Sequence, residues 1–322
     1  MPESSAVAPE PIPLLLLAGR DREGTRLPEG GEDKRVLRGY KASRLEINGR
    51  PLIAELIERL RRTGAFGPIW VAGPSHLYED VLEDVHLVDT DGGFGDNLRA
   101  GIEALVAALP DRAFATMTSD ILPTDEDLQR ALDDYRRHEP CDFWMCEMRI
   151  PTDPDNLGNS AWKPKYLLLP TGESEPVGTL PGHLVIVHPA GLRLHLIYRI
   201  FDLAYRTRNR PFNRRRWGIV RGAFSVLVHE DLRQLSRLRP PLVAMTMLYH
   251  GLNLGAKLFR GHVRQEELED RLRRIWFDPR HLRRYPDRRG RVAILEGLSL
   301  ARDIDTEEEA LEILGALPED GE

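Results

Sequence analysis

The seven residues Pro13-Leu14-Leu15-Leu16-Leu17-Ala18-Gly19 constrain the fold of this chain more than any other segment. The run is wholly apolar and ends on glycine, so a strand built from it has no face to offer water. Such strands belong in parallel sheets covered on both sides by helices. A polar stretch, 20–44, follows as a long loop carrying Gly24, Gly30, Gly31 and Gly39. Pro51 then opens a helix whose Leu52, Ile53, Leu56, Ile57 and Leu60 form a single stripe. Strands are expected at 69–73, 85–89, 113–118 and 143–148, with helices at about 96–109 and 125–138 between them. Repeated strand–helix alternation predicts a mostly parallel α/β sheet with right-handed crossovers. Ligands of such sheets sit at the carboxyl ends of the strands.

The rhythm changes from residue 151. The stretch 151–181 is rich in Pro, Gly and Asn and reads as loop. One further strand is expected at 183–187, followed by helical patterns at 190–206, 221–239, 240–259 and 264–277. A strand at 292–295 precedes Asp303-Ile304-Asp305-Thr306 and a final helix opened by Glu307, Glu308 and Glu309. Acids in a first turn suit the helix dipole. The expected organisation is a disordered tail (1–11), an α/β core (12–150), a mainly helical insertion (151–289), and a return strand and helix of the core (290–316).

Charge and cysteine content narrow the function classes. The 322 residues carry 45 Lys+Arg against 51 Asp+Glu, a formal net charge of -6. That balance argues against a non-specific nucleic-acid binder. Cys141 and Cys146 are the two cysteines, too few for a disulfide framework and without the second pair of a zinc site. The N-terminal residues are acidic, and the apolar run Leu14 to Ala18 is too short for a signal-peptide core or a membrane span. A cytoplasmic protein is expected. Lysine occurs only at Lys34, Lys41, Lys163, Lys165 and Lys257, and arginine supplies the rest of the basic residues. Each lysine therefore invites a question about what arginine could not do there.

Five segments are suited to chemistry. The loop Ala18-Gly19-Arg20 to Gly24-Thr25-Arg26 follows the first buried strand, where α/β folds cradle phosphates with backbone N–H groups. It is neither a Walker A loop nor a G-x-G-x-x-G fingerprint. Lys41 precedes a short strand, an Asn48-Gly49 turn and the proline-opened helix, where a cation can hold phosphate oxygens and stabilise developing charge. Asp120 ends an apolar strand, in Thr118-Ser119-Asp120-Ile121-Leu122-Pro123, and can carry magnesium. Asp303 and Asp305 lie between a strand and a helix, where either can ligate or cap. Gly92-Gly93-Phe94-Gly95-Asp96-Asn97 turns into a helix; Asn97 can meet a base or ribose, and Asp96 can serve as a cap.

The order of these segments resembles that of the MobA-like NTP transferases, a branch of the nucleotidyltransferases with the GT-A-type nucleotide-diphospho-sugar transferase fold. Leu17-Ala18-Gly19 and Gly24-Thr25-Arg26 are similar to the family's L-A-G-G-x-G-T-R loop. Lys41 with Gly49, Pro51, Leu52 and Ile53 is similar to its K…G-x-P-L-I segment, and Asp303-Ile304-Asp305-Thr306 to its closing D-I-D-T. The resemblance spans about residues 13–150 and 290–315. It implies a Rossmann-like three-layer α/β/α core with a mostly parallel sheet and a mainly helical insertion. It also implies a magnesium-dependent transfer of a nucleoside monophosphate from an NTP to a phosphorylated or hydroxyl acceptor, releasing pyrophosphate. Ala18, Gly19, Gly24 and Thr25 would then wrap the nucleotide phosphates, with Asn97 near the nucleoside. Arg26 and Lys41 would hold the triphosphate, and Asp120 with Asp305 (or Asp303) would hold Mg²⁺. The chain departs from the pattern at three places. Arg20 stands for the second glycine, Lys41 lies 15 positions after Arg26, and Glu307 replaces the proline of the closing motif.

The stretch 191–221 holds nine arginines against the single acid Asp202. Arg214, Arg215 and Arg216 make it a candidate site for an anionic acceptor. Interleaved aromatics, among them Tyr198, Phe201 and Tyr205, also suit peripheral contact with a membrane face. Two rival functions remain open at this level: a GT-A glycosyltransferase using a sugar nucleotide, and a non-catalytic nucleotide- or membrane-surface-binding protein. His183, His188, His195 and His250 lack metal-ligand spacing and receive no role.

Overall fold

A computed structural model of the 322-residue chain describes residues 10–20, 38–47, 49–151, 165–206, 225–229, 231–232, 235–236, 243–261, 263–305 and 309. The apolar run forms β1 (Ile12–Leu17), and Leu14, Leu15 and Leu16 are all fully buried. β1 lies between two parallel partners, β4 (Phe66–Gly73) and β6 (Phe114–Thr118), and β5 (His86–Asp89) extends the sheet beyond β4. Helices cover both faces, which is why a strand without a polar face is stable here. Leu14 and Leu16 pack with α2 (Leu52–Arg62) and α4 (Asp125–Arg137). Leu15 points the other way, into a cluster with α3 (Phe94–Ala108) and Tyr198 of α5 (Leu194–Arg206). Alternate residues of one strand thus feed two separate cores, as the two-residue period of a strand requires.

Among the described residues the main sheet has nine strands and is mostly parallel, while β2 (Glu46–Ile47) and β3 (Arg50–Pro51) pair with each other apart from it. β7 (Cys141–Arg149) runs parallel to β11 (Arg289–Leu295). Between β6 and β7 lies β9 (Val177–Val187), antiparallel to both. The segment 151–289 therefore places a strand at the centre of the sheet. It also adds β8 (Tyr166–Leu169), antiparallel to β9, and β10 (Val263–Arg264), parallel to β8. β8 and the first half of β9 fall where Pro and Gly suggested loop. Their pairing is supplied by neighbouring strands, which local composition does not reveal. The helical expectations at 190–206, 240–259 and 264–277 are met by α5, α6 (Val243–Arg260) and α7 (Gln265–Trp276). Of the expected 221–239 helix, residues 225–229, 231–232 and 235–236 are described and helical, and the rest lies outside the described residues. A short helix, α8 (Pro279–Arg284), was not expected; Asp278 caps it, accepting a bond from the Arg280 N–H at 2.8 Å, and proline occupies its first turn. The final acidic helix lies outside the described residues, apart from Glu309. No described helix is long and apolar enough to cross a membrane.

α5 approaches α3 closely enough that a Cβ on Gly95 would collide with the Asp202 Cβ and crowd the Tyr198 carbonyl. Both cysteines are free and buried, and burial pushes their thiols up to about 12, so they behave as small core side chains.

One core group carries a measurable pH signature. Glu147 on β7 is buried and accepts a hydrogen bond from the Thr179 hydroxyl at 2.9 Å. Burial raises its carboxyl to about 7, and the Thr179 bond only partly opposes that. The folded chain thus holds a proton that the unfolded chain releases near 4.5. Stability is greatest below that lower value and falls as pH rises through about 7, by about 3 kcal/mol in all. Glu147→Gln keeps the shape and removes the charge. Its urea midpoint is expected to exceed the wild type's at pH 8 and to match it at pH 5. Parallel decline of the two proteins across that range would contradict this account.

Candidate functional site

Six chain segments meet at the carboxyl ends of β1 and β6. The chain leaves β1 at Ala18, whose carbonyl accepts a hydrogen bond from the Tyr78 hydroxyl at 2.6 Å. At Gly19 a Cβ would collide with the side-chain amide nitrogen of Asn97, so the glycine lets α3 abut the loop. Asn97 is buried, and its Oδ1 accepts from the Thr90 hydroxyl at 2.9 Å and the Gly92 N–H at 3.0 Å. Its carbonyl is thus committed to the 90–92 turn, while the residue still borders the cavity. Asp96, in the first turn of α3, reaches back to the start of the helix, and the Gly93 N–H donates to its Oδ2 at 3.2 Å.

Lys41 begins the short helix α1 (Lys41–Arg44) and is 5% exposed. Its ammonium donates to Asp305 and stands 4.0 Å from Asp120 Oδ2. Asp305 comes from the far end of the chain. It is set by two bonds of its loop: the Ile304 N–H donates to the Asp120 carbonyl at 2.8 Å, and the Asp305 N–H to Glu309 at 2.8 Å. Burial raises the Asp305 carboxyl, Lys41 opposes the shift, and the neighbouring Asp303 and Asp120 add to it.

Asp303 points to the other side of the same loop. Its Oδ1 lies 2.6 Å from His183 Nε2, and His183 Nδ1 lies 2.8 Å from the Thr118 hydroxyl. Candidate ligand atoms of Asp120, His183 and Asp303 all fall within 4.8 Å of one another. The residues fit a divalent cation on two grounds. Asp120 Oδ1 is buried and has no hydrogen-bond partner among the described residues. Asp120 and Asp305 also flank one buried ammonium, and Asp303 lies close enough to raise the Asp305 carboxyl further, an excess of negative charge in a confined space. Two carboxylate oxygens and an imidazole suit Mn²⁺ or Zn²⁺ as well as Mg²⁺. A hydroxyl both donates and accepts, so Thr118 satisfies His183 in either tautomer, including the one that turns the Nε2 lone pair to a cation.

These groups line a cavity of about 300 Å³, with Gly19, Arg20, Lys41, Asn97, Asp120, His183 and Asp303 on its walls. The structure therefore brings together Gly19, Lys41, Asn97 and Asp120 of the residues expected from sequence. Ala18 is buried just beneath, and Asp305 is engaged by Lys41. Asp303 is the carboxylate beside Asp120. Gly24, Thr25, Arg26, Arg214, Arg215 and Arg216 lie outside the described residues. His183 was missed. It opens an apolar strand pattern far from any acid in sequence, and only the pairing of β9 with β6 places it beside Thr118. Arg20, which stands for the family's second glycine, borders the cavity and lies 3.6 Å from Asp91.

No protein-family model matches the sequence, and no curated protein sequence matches it significantly. Solved structures do resemble it. A hypothetical transferase from Thermus thermophilus is 16% identical and superposes with a TM-score of 0.54, over 94% of this chain and 100% of that one. A CMP:2-keto-3-deoxy-manno-octonic acid synthetase complexed with CTP is 12% identical, with a TM-score of 0.47 over 95% of this chain and 98% of that one. The first of these likenesses shows that the chain shares the fold of the Thermus protein.

Proposed function

We propose that the chain is a divalent-metal-dependent nucleotidyltransferase. One observation carries the reading: the buried Lys41 ammonium stands 4.0 Å from Asp120, at the carboxyl ends of β1 and β6 where such sheets bind nucleotides. The shared fold with a solved structure described as a transferase supports it. In the reaction, an acceptor oxygen attacks the α-phosphorus of an NTP. The new O–P bond forms as the bond to the bridging oxygen of the β-phosphate breaks, pyrophosphate leaves, and the proton of a hydroxyl acceptor passes to water. Lys41 would meet the non-bridging oxygens and stabilise their charge, with Asp305 fixing the ammonium in place. The Ala18–Gly19 backbone would border the phosphates, and buried Asn97 would keep α3 against that loop. Asp120, Asp303 and His183 would hold the metal, which supplies charge neutralisation at the phosphates.

Each of the four NTPs, with Mg²⁺ or Mn²⁺ and a panel of phosphorylated and hydroxyl acceptors, should yield pyrophosphate for at least one pairing. Release of a nucleoside diphosphate from a sugar nucleotide, with no pyrophosphate from any NTP, would replace this reading by a glycosyltransferase.

A further inference from the structure

A second cavity, of about 310 Å³, opens beside the polar one. The two share Leu17, Phe94, Thr118 and His183 as walls. Its floor is the sheet itself. Val185 of β9 pairs with Thr116 of β6 on one side and Met145 of β7 on the other. All three are half-buried, whereas their strand neighbours Leu184, Ile186, Ala115, Met117, Trp144 and Cys146 are buried. Among the described residues, one face of the central strands is therefore sealed, and the other is left partly bare. α5 roofs the bare strip with Leu194, Ile197 and Phe201, and Trp276 also lines the chamber. Phe201 is 41% exposed and its ring centroid lies 6.1 Å from that of Phe94, a residue of both cavities.

Apolar surface left uncovered at the middle of a sheet costs stability unless something occupies it. An apolar cavity of roughly 150 Å³ accepts benzene, so this chamber admits a group about twice that size. Among the described residues of its walls, the side-chain hydrogen-bonding groups are Thr116, Thr118 and His183, which lie toward the polar cavity or on the floor, and the Trp276 indole N–H.

We propose that this chamber is the acceptor subsite, and that the acceptor is an apolar alcohol or its monophosphate, with a prenyl- or aryl-sized body seated under α5 and its oxygen at His183. The inference rests on the transferase reading for the role of that oxygen, but its binding component stands alone. The walls are continuous, so a single amphiphile can span both cavities, head toward Lys41 and body toward Trp276.

Trp276 gives a direct readout. In the absence of nucleotide, geranyl monophosphate should quench tryptophan emission, with a Kd at least tenfold below those of inorganic phosphate and glucose 1-phosphate. Trp276→Phe should remove most of the signal. Val185→Phe and, on the opposite wall, Ile197→Phe should each fill the chamber and raise that Kd at least tenfold, with NTP affinity and Tm retained. Equal affinity for the prenyl and sugar phosphates would overturn the proposal. So would competition by an NTP for the quenched site, which would assign the chamber to the nucleobase. Selective prenyl binding without nucleotidyl transfer would uphold the chamber and sink the transferase reading. Transfer to glucose 1-phosphate but not to the prenyl phosphate would do the reverse.

Discussion

Lys41→Met should cost about 10²–10³ in turnover, the usual loss when one preorganised donor to developing charge is removed. It should also destabilise the fold by about 3–5 kcal/mol, because Asp305 would stay buried without its counter-charge. The two losses are separable. Adding Asp305→Leu to Lys41→Met replaces the buried pair by apolar groups and should recover most of the stability, with no recovery of turnover. Thermal unfolding and pyrophosphate release on the three proteins check this. A double variant that regains both would reduce Lys41 to a structural role, and a single variant that keeps full turnover would remove it from the chemistry. Lys41→Arg is the finer probe. The pocket holds a compact ammonium between Asp305 and Asp120, and a planar guanidinium demands a different geometry, so charge alone should not restore activity.

Asp120→Asn is expected to behave in the opposite way. The Oδ1 of Asp120 has no partner among the described residues, and its carboxylate adds to the negative charge around Asp305. Removing that charge should leave the metal-free Tm unchanged or higher. Metal binding should suffer instead, with Mn²⁺ affinity falling at least tenfold by titration, in step with loss of transfer. Wild-type protein at Mn²⁺ one hundred times its Kd should gain about 2.7 kcal/mol, and the variant much less at the same concentration. His183→Ala and Asp303→Asn should weaken Mn²⁺ in the same assay. If Asp305→Asn weakened it while Asp303→Asn did not, the ligand set would be the wrong one. Because the ligands must be deprotonated, affinity should also fall as pH is lowered.

The scaffold of this site was readable from the amino acids. β1 has one physical solution, burial on both faces, and that alone fixes a helix-covered parallel sheet and the edge where ligands bind. Lys41 stood out because the chain otherwise prefers arginine so strongly. What could not be read was collective. Asp303 and Asp305 differ by two positions and either suits the end of a strand; the turn of their loop, fixed by the Ile304 bond to Asp120, decides which one meets the lysine. His183 acquires its neighbours from strand pairing across 65 positions. β8 and the start of β9 contain the Pro and Gly residues that normally mark loops, and neighbouring strands override them. The apolar chamber has no linear signature, since strands from four parts of the chain and α5 each leave only a fraction of their surface uncovered.

The bond between Lys41 and Asp305 joins residues 264 positions apart. A ribosome that has made the first 300 residues has produced every described strand of the sheet but not this pair. Chain entropy must be overcome across almost the whole polypeptide before the ammonium finds its carboxylate. Enzymatic competence should therefore arrive late and all at once. During refolding, recovery of turnover should lag recovery of far-UV ellipticity, and no fragment ending before residue 303 can acquire function by folding alone.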